Sequence, residues 1–269
     1  MMTQAHDLCG CSEHRGTDTQ SPFWLELNGE WVHLQGVAPT YPITRERPRS
    51  EFISLGGYRY AQQARKASKE WELTYEYASP EALAALEIAA QFGGVVRLWD
   101  EAAAAANAVC PEVVQGASSQ PVILAGDMPL RAFPRFHNVT LPVKPGETYR
   151  LSMWTNGTSL GNYRVGSGGS AQTMASPPGT GARRYLSPPI SVPAGVEEIL
   201  ISLSQLPIAA RTSGLMLTLG EGEPCRFISG QCALNTVTVE DPQHNRSMIP
   251  RSGAKGYGDW TVTLKEVCP

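Results

Sequence analysis

The sequence contains no run of the roughly 18 to 20 apolar residues that a membrane-spanning helix requires. Its first twenty residues, MMTQAHDLCGCSEHRGTDTQ, lack the apolar centre of a secretory signal peptide. The formal net charge is only −3, which is too small to indicate nucleic acid or an anionic membrane as a partner. We therefore expect a soluble protein with no membrane span and no sequence-specific recognition of nucleic acid.

Catalytic signatures are missing as well. The five histidines belong to no Gly-x-Ser-x-Gly or similar arrangement, and the stretches GSGGS and GTGARR lack the lysine and spacing of a phosphate-binding loop. A glycosidase needs two facing carboxyl groups, but the adjacent Glu197 and Glu198 would point to opposite faces of a strand. We predict that the chain is not an enzyme.

Helical periodicity is scarce, whereas turn-forming residues are numerous. The 26 glycines and 21 prolines are spread along the chain, as is typical of all-β proteins with many turns. In SKEWELTYEYAS, the residues Trp71, Leu73, Tyr75 and Tyr77 alternate with polar ones, which predicts a strand with one apolar face. The preceding stretch, EFISLGGYRYAQQ, is interpreted as another strand.

Two local signals are strong. Asn28-Gly29, flanked by alternating apolar residues, predicts a β-hairpin with a type I′ turn. A change of period from 2 to 3.6, with proline in the first turn, predicts one helix from Pro80 to Phe92. Its apolar stripe consists of Leu83, Leu86 and Ala90.

The composition divides the chain into four segments. Residues 1–21 are polar and without periodicity, so we predict a flexible arm. Residues 22–116 form a first β-domain, with an alanine run near its end that is either a short helix or an extended connector. Residues 117–221 contain short strands separated by Pro-Gly, Asn-Gly and Gly-Gly, which indicates a jelly-roll or related sandwich. Residues 222–269 supply two strands. Two strands alone form only a marginally stable sheet, so we expect them to complete the first domain.

The last strand supports this split arrangement. Trp260 to Leu264 repeats the alternation of Trp71 to Tyr75. We therefore expect both strands to belong to one domain, which the segment 117–221 interrupts.

Three motifs together resemble a known family. The connector RLWDEAAAAANAVCPE, the stretch LTLGEGEP and the closing WTVTLKEV are similar to those of minor tail proteins of long-tailed bacteriophages that infect actinobacteria. The order of domains resembles that of distal tail proteins, with a belt domain and an inserted galectin-like or carbohydrate-binding-like domain. The pattern residues are Trp99, Asn107, Pro111, Gly220, Gly222 and Trp260.

The resemblance implies a structural virion protein of a siphovirus. It would form a homo-oligomeric ring, with six copies favoured over three, at the distal end of the tail. Its partners would be the tail tube protein, the tape measure protein and the hub protein of the tail tip, and it would be assembled in the host cytoplasm. The alternative is a module that binds host cell-wall glycan. A secreted lectin or enzyme is a third reading, which the lack of a signal peptide disfavours.

A sugar site is predicted in the inserted segment. Aromatic rings stack on sugar C–H surfaces, while amide and guanidinium groups bond the hydroxyls. The competing interpretation is that the tryptophan is core and the tyrosines are turn anchors. The candidate residues are Trp154, Asn156, Asn162, Tyr163, Arg164 and Tyr185.

The arm contains a candidate zinc site. His6, Cys9, Cys11 and His14 offer two thiolates and two imidazoles, although Cys-x-Cys is tighter than the usual zinc-knuckle spacing. A flexible arm with incidental thiols is the competing interpretation, and no cofactor is expected overall.

The other cysteines are Cys110, Cys225, Cys232 and Cys268. Synthesis in a reducing cytoplasm favours free, buried thiols. Cys110 and Cys225 flank the inserted segment and could meet as a disulfide, or Cys225 could pair with Cys232. Four thiols could also hold zinc or an iron-sulfur cluster, and the resemblance adds weight to the latter because some related tail-tip proteins bind one.

Overall fold

The structure is a computed structural model of the chain. The described residues are 21–35, 41–46, 49–63, 68–75, 80–91, 93–110, 122–123, 129–130, 138–155, 159–175, 183–202, 212–224, 230–245 and 259–267. They divide into two compact units. The split unit contains the described residues up to Trp99 and from Asn235 onward, and the inserted unit contains those from Asp100 to Leu234. The sequence placed the corresponding insertion at 117–221.

Strands dominate the described part of the chain, which contains two helices, so the predicted all-β class is confirmed. The elements in chain order are β1 (Phe23–Leu27), β2 (Glu30–His33), β3 (Ile43–Glu46), β4 (Arg49–Ile53), β5 (Arg59–Gln63), β6 (Ser68–Tyr75), α1 (Pro80–Gln91), β7 (Val96–Asp100), α2 (Glu101–Asn107), β8 (Val122–Ile123), β9 (Pro129–Leu130), β10 (Asn138–Pro142), β11 (Thr148–Thr155), β12 (Ser159–Val165), β13 (Gln172–Ala175), β14 (Arg183–Leu186), β15 (Ile190–Ser191), β16 (Glu198–Ser202), β17 (Thr212–Leu219), β18 (Leu234–Val239), β19 (Gln243–Asn245) and β20 (Asp259–Glu266).

One large sheet organises the split unit, in the order β2-β1-β7-β18-β20-β6-β3, with β19 paired to β20. The closing strand β20 lies directly beside β6 and runs antiparallel to it. Leu264 stands opposite Trp71, and Val262 stands opposite Leu73. The similar alternation of these two sequences therefore reflects a direct pairing of strands that lie far apart in the chain.

The core of the split unit contains residues from both ends of the chain and none from the inserted unit. It is built from alternating residues of the sheet strands and from one face of α1. Its buried members are Phe23, Leu25, Leu34, Trp71, Leu73, Tyr75, Ala82, Leu86, Ala89, Leu98, Val237, Val239, Val262 and Leu264.

The helix and turn predictions are confirmed. Helix α1 begins at Pro80 and ends at Gln91, and Leu86 is fully buried while Leu83 and Ala90 are half-buried. Asn28 and Gly29 have φ angles of 52° and 86°, the left-handed pair that a type I′ turn requires.

The alanine run forms helix α2 rather than an extended connector. Asp100 caps it, because its Oδ1 accepts a hydrogen bond from the Ala103 N–H at 3.0 Å.

Two four-stranded sheets make up most of the inserted unit. One has the order β10-β16-β12-β13, and in the other β11 pairs with β14, β15 and β17. Each has a buried face: Leu151 and Met153 are buried on β11, as are Ile199 and Ile201 on β16.

One strand prediction is wrong. The stretch EFISLGGYRYAQQ is not a single strand, since it folds back on itself as the two antiparallel strands β4 and β5. The pair Gly56-Gly57 lies in the turn, where Gly57 has a φ of 80° that favours glycine.

Candidate interaction surface

The β4–β5 hairpin is a well-formed turn with an apolar end. The N–H of Ser54 donates to the carbonyl oxygen of Tyr58 at 2.9 Å, and the N–H of Gly57 donates to that of Ser54 at 2.8 Å. Phe52 and Tyr60 lie opposite each other, with ring centroids 5.3 Å apart and planes 15° from parallel. The hairpin therefore presents a defined shape.

The large apolar side chains of this hairpin are highly exposed. Phe52 is 54% exposed, Ile53 63% and Tyr58 71%, and Leu55 at the turn is fully exposed. A two-stranded hairpin is marginally stable in water, and an apolar surface of this kind marks an interaction site. We call residues 52–60 the hairpin tip.

Exposed apolar residues are concentrated in the split unit. Of the residues that the structure describes, eight large apolar side chains are exposed, and all belong to this unit. Five lie on the hairpin tip, Ile43 lies on the edge strand β3, and Ile88 and Val95 lie elsewhere. Such clustering differs from single apolar residues scattered over a surface, which need no explanation.

Ile88 and Val95 line an open groove of about 440 Å³. Its walls are the β1–β2 turn, the end of α1 and the beginning of β7, and Leu27 and Ala89 contribute apolar surface to it. We call this feature the α1–β7 groove. Pockets of about 300 to 1,000 Å³ accommodate drug-sized molecules, so the groove has room for a few side chains.

An ion pair marks the polar side of the groove. Arg97 Nη1 lies 2.7 Å from Glu26 Oε2, and the guanidinium lies 5.6 Å from the ring centroid of Trp31. Helix α1 contains Glu81 and Glu87 and no basic residue. The exposed charge on the helix beside the groove is therefore negative.

The predicted sugar-binding residues do not form one surface. Tyr163 and Tyr185 are each only 6% exposed, so neither ring offers a face to a sugar. Trp154 is half-buried on β11, opposite Arg184 on β14. Asn162 and Arg164 lie on β12, in the other sheet, and Asn156 lies outside the described residues.

Strand alternation explains this outcome. Asn162 and Arg164 flank Tyr163 on β12, so they point to the face opposite the buried tyrosine. Trp154 follows Met153, which is buried and stands opposite Tyr185. The two tyrosines interact in the interior, and they lie on strands rather than at turns, where the competing interpretation placed them.

We predict that these buried tyrosines make stability fall at alkaline pH. Burial, together with the nearby Tyr163, raises the pKa of Tyr185 to about 12, and burial raises the pKa of Tyr163. An unfolded tyrosine ionises near pH 10, so between about pH 10 and 12 the unfolded state loses protons that the folded state keeps. The free energy of unfolding should therefore decrease through this range and stay unaffected by these groups below it.

Urea denaturation at a series of pH values measures this dependence. The variant with Tyr163→Phe and Tyr185→Phe is the control and should show a shallower decrease. Tyrosinate absorbance of the folded protein that shows all tyrosines ionising near pH 10 would contradict the prediction.

Two segments of the inserted unit pair with each other close to the positions where the chain enters and leaves it. We call these segments, residues 107–110 and 230–233, the junction. The N–H of Gln231 donates to the carbonyl oxygen of Asn107 at 2.9 Å, and the N–H of Ala233 donates to the carbonyl oxygen of Ala108 at 3.2 Å. At Gly230 a Cβ would collide with the carbonyl oxygen of Val109, so the close approach requires glycine.

A disulfide closes the junction. Cys110 is bonded to Cys232, 122 residues further along the chain. The expectation of free thiols is therefore wrong for these two residues, because the backbone pairing brings them together. The alternative partner, Cys225, and also Cys268 lie outside the described residues.

Asn107 holds the junction from inside. Its side chain is fully buried; Oδ1 accepts from the N–H groups of Val109 and Leu217, both at 3.2 Å. Its Nδ2 donates to the carbonyl oxygen of Leu215 at 3.4 Å. The amide thus satisfies backbone groups of β17 and of the segment that follows α2.

Comparison with known protein families finds no match, and comparison with curated proteins finds no similar sequence. Neither helix of the described part is long and apolar enough to cross a membrane. Within the same part, no three His, Cys, Asp or Glu side chains cluster as metal ligands would. The candidate zinc ligands His6, Cys9, Cys11 and His14 lie outside it.

Sequence reasoning missed the hairpin tip and the groove. The available signal for the tip was Gly56-Gly57 between two alternating segments, a common hairpin arrangement. The groove had no comparable signal, because it depends on where α1 ends relative to β1 and β7.

Proposed function

We propose that the chain is a structural virion protein of a long-tailed bacteriophage. It forms a ring at the distal end of the tail, connects the tail tube to the tip complex, and has no catalytic activity. The split unit is the belt that makes the ring, and the inserted unit faces outward. Tail tube protein, tape measure protein and hub protein are the expected neighbours.

The observation that carries this proposal is the exposed, apolar hairpin tip of the split unit. A hairpin tip with five exposed apolar side chains is costly to leave in water, and contact with another chain would remove that cost. The resemblance of three sequence motifs to those of minor tail proteins supports a phage tail as the assembly. Cyclic assemblies of this kind join one patch to a different patch on the next copy.

Localisation in purified phage tails tests the proposal. An antibody raised against this chain should label the distal end of intact tails in electron micrographs. Tails from a phage in which the codon for Leu55 is replaced by one for Ser should lack this label or fail to assemble a tip. Absence of the chain from purified virions, or labelling along the tail tube, would contradict it.

A further inference from the structure

We propose that the hairpin tip of one copy docks into the α1–β7 groove of a second copy. This docking rests on the proposed function, since it names the two surfaces through which the ring closes. It adds a specific contact: Phe52, Ile53, Leu55 and Tyr58 meet the surface around Val95.

The order of the strands separates the two surfaces within one chain. The groove lies beside β1 and β7, near one edge of the sheet. The hairpin is connected to β3 and β6, at the opposite edge, by short stretches of two and four residues. Neighbouring strands are about 4.8 Å apart, and four such spacings separate β1 from β6, so they span roughly 19 Å. The groove thus lies near one edge of the sheet and the hairpin is connected to the other, an arrangement that suits contact between copies.

Both surfaces are apolar and exposed in the single chain. On the groove side, Val95 is 58% exposed and Ile88 is 42% exposed. On the hairpin tip, five large apolar side chains are exposed. Docking would remove both from water at once, and each buried aromatic ring contributes about 150 to 250 Å² of contact area.

The charges are complementary. Arg59 is the only charged residue of the hairpin tip. Arg49 and Glu51 lie on β4 further from the turn and form an ion pair with each other. On the groove side, the lining residues Glu26 and Arg97 form an ion pair with each other. The exposed Glu30 and Glu87 adjoin the lining residues Gly29 and Ile88 in sequence and add negative charge beside the groove. A positively charged tip therefore meets an acidic rim, which favours this orientation over contact between two identical surfaces.

This geometry produces a head-to-tail assembly. A tip that contacts a groove on another copy leaves its own groove open for a third copy, so the contact is head-to-tail. Such contacts form a ring when the rotation between copies closes. A stable interface buries about 800 Å² per partner. Closure of the ring gives each copy two contacts, which would support the association beyond what one contact provides.

Photo-crosslinking of the full chain tests the docking. A benzophenone amino acid replaces Leu55, and equal amounts of ¹⁵N-labelled and unlabelled chains are mixed before irradiation. Mass spectrometry should find adducts between position 55 of one copy and residues 86–97 of another. The same amino acid at Gln62, which is exposed on β5 further from the turn, is the matched control and should give no such adducts.

A substitution in the groove gives an independent readout. Val95→Lys places a charge of the same sign as Arg59 where the apolar tip would bind, and it should raise the dissociation constant for self-association about tenfold or more. Ile43→Ser changes an exposed apolar residue outside both surfaces and should leave the dissociation constant for self-association unchanged.

The outcomes separate the docking from the proposed function. An associated chain whose adducts from position 55 fall outside residues 86–97 overturns the docking and leaves the ring intact. An associated chain whose self-association is unaffected by Val95→Lys also overturns the docking and leaves the ring intact. A chain that stays monomeric and gives no intermolecular adducts contradicts the docking and the ring together.

Discussion

Replacing Leu264 with alanine is expected to lower the free energy of unfolding of the split unit by about 2 to 5 kcal/mol. Leu264 is fully buried and stands opposite Trp71 across the β20–β6 pair. Removal of its side chain leaves a cavity in a core that the two ends of the chain build jointly. Since whole domains are stable by only about 5 to 15 kcal/mol, this single change removes a large part of the total.

Urea denaturation followed by tryptophan fluorescence measures this effect. Thr263→Ala is the matched control, because its side chain lies on the other face of the same strand and is half-exposed. It should cost less than about 1 kcal/mol. Equal losses for the two variants would mean that β20 does not pack as described.

The converse variant removes the inserted unit instead. Asp100 donates its N–H to the carbonyl oxygen of Ala233 at 2.9 Å, so the ends of the insertion already meet. A short glycine-serine linker in place of residues 101–232 should therefore leave a cooperatively folded split unit. Deletion of residues 260–269 from the same shortened chain should abolish its folding, since Val262 and Leu264 then leave the core.

Asn107→Ala is expected to be the most damaging substitution in the inserted unit. The Asn107 side chain is fully buried, and its Oδ1 accepts hydrogen bonds from two backbone N–H groups. Its Nδ2 donates to one carbonyl oxygen, so the substitution leaves three backbone groups without this partner. Each buried group left without a partner costs about 1 to 3 kcal/mol, so we expect a loss of about 3 kcal/mol or more.

Asn162→Ala provides the matched control for Asn107→Ala. Asn162 belongs to the same unit but is half-exposed on β12, and its loss should change stability by about 0.5 kcal/mol or less. Thermal unfolding of both variants under non-reducing conditions, which keep the Cys110–Cys232 bond, checks the difference. Equal melting temperatures would show that Asn107 does not hold the junction.

Local chemistry made part of the fold predictable from sequence. The alternation of Trp71, Leu73 and Tyr75 identified the half-buried strand β6. Asn28-Gly29 specified the turn between β1 and β2 by the φ angles that these residues tolerate. That β20 and β6 belong to one unit was inferable, because two strands at the end of the chain cannot form a stable sheet alone. Their direct pairing is a finding of the structure.

Features that depend on long-range geometry were not predictable. Cys110 pairs with Cys232 because the backbone of the junction aligns them, a relation that sequence spacing does not contain. The burial of Tyr163 and Tyr185 depends on which face of each strand the sheets cover, and a shift of one residue would have exposed them.

The exposure of the hairpin tip was also not predictable from the sequence. EFISLGGYRYAQQ has the alternation of a strand on both sides of its glycines, and nothing in the pattern reveals that neither face is covered. Exposure of Leu55 and Tyr58 is evident only in the structure.

The mass of the full-length chain in solution, measured by light scattering coupled to size exclusion, tests the central claim most directly. We predict one closed species at six times the chain mass of 29.1 kDa, with three times as the other closed ring, and a shift to monomer for Leu55→Ser. A wild-type chain that remains monomeric at high concentration, or an assembly that Leu55→Ser leaves intact, would contradict a ring that forms through the hairpin tip.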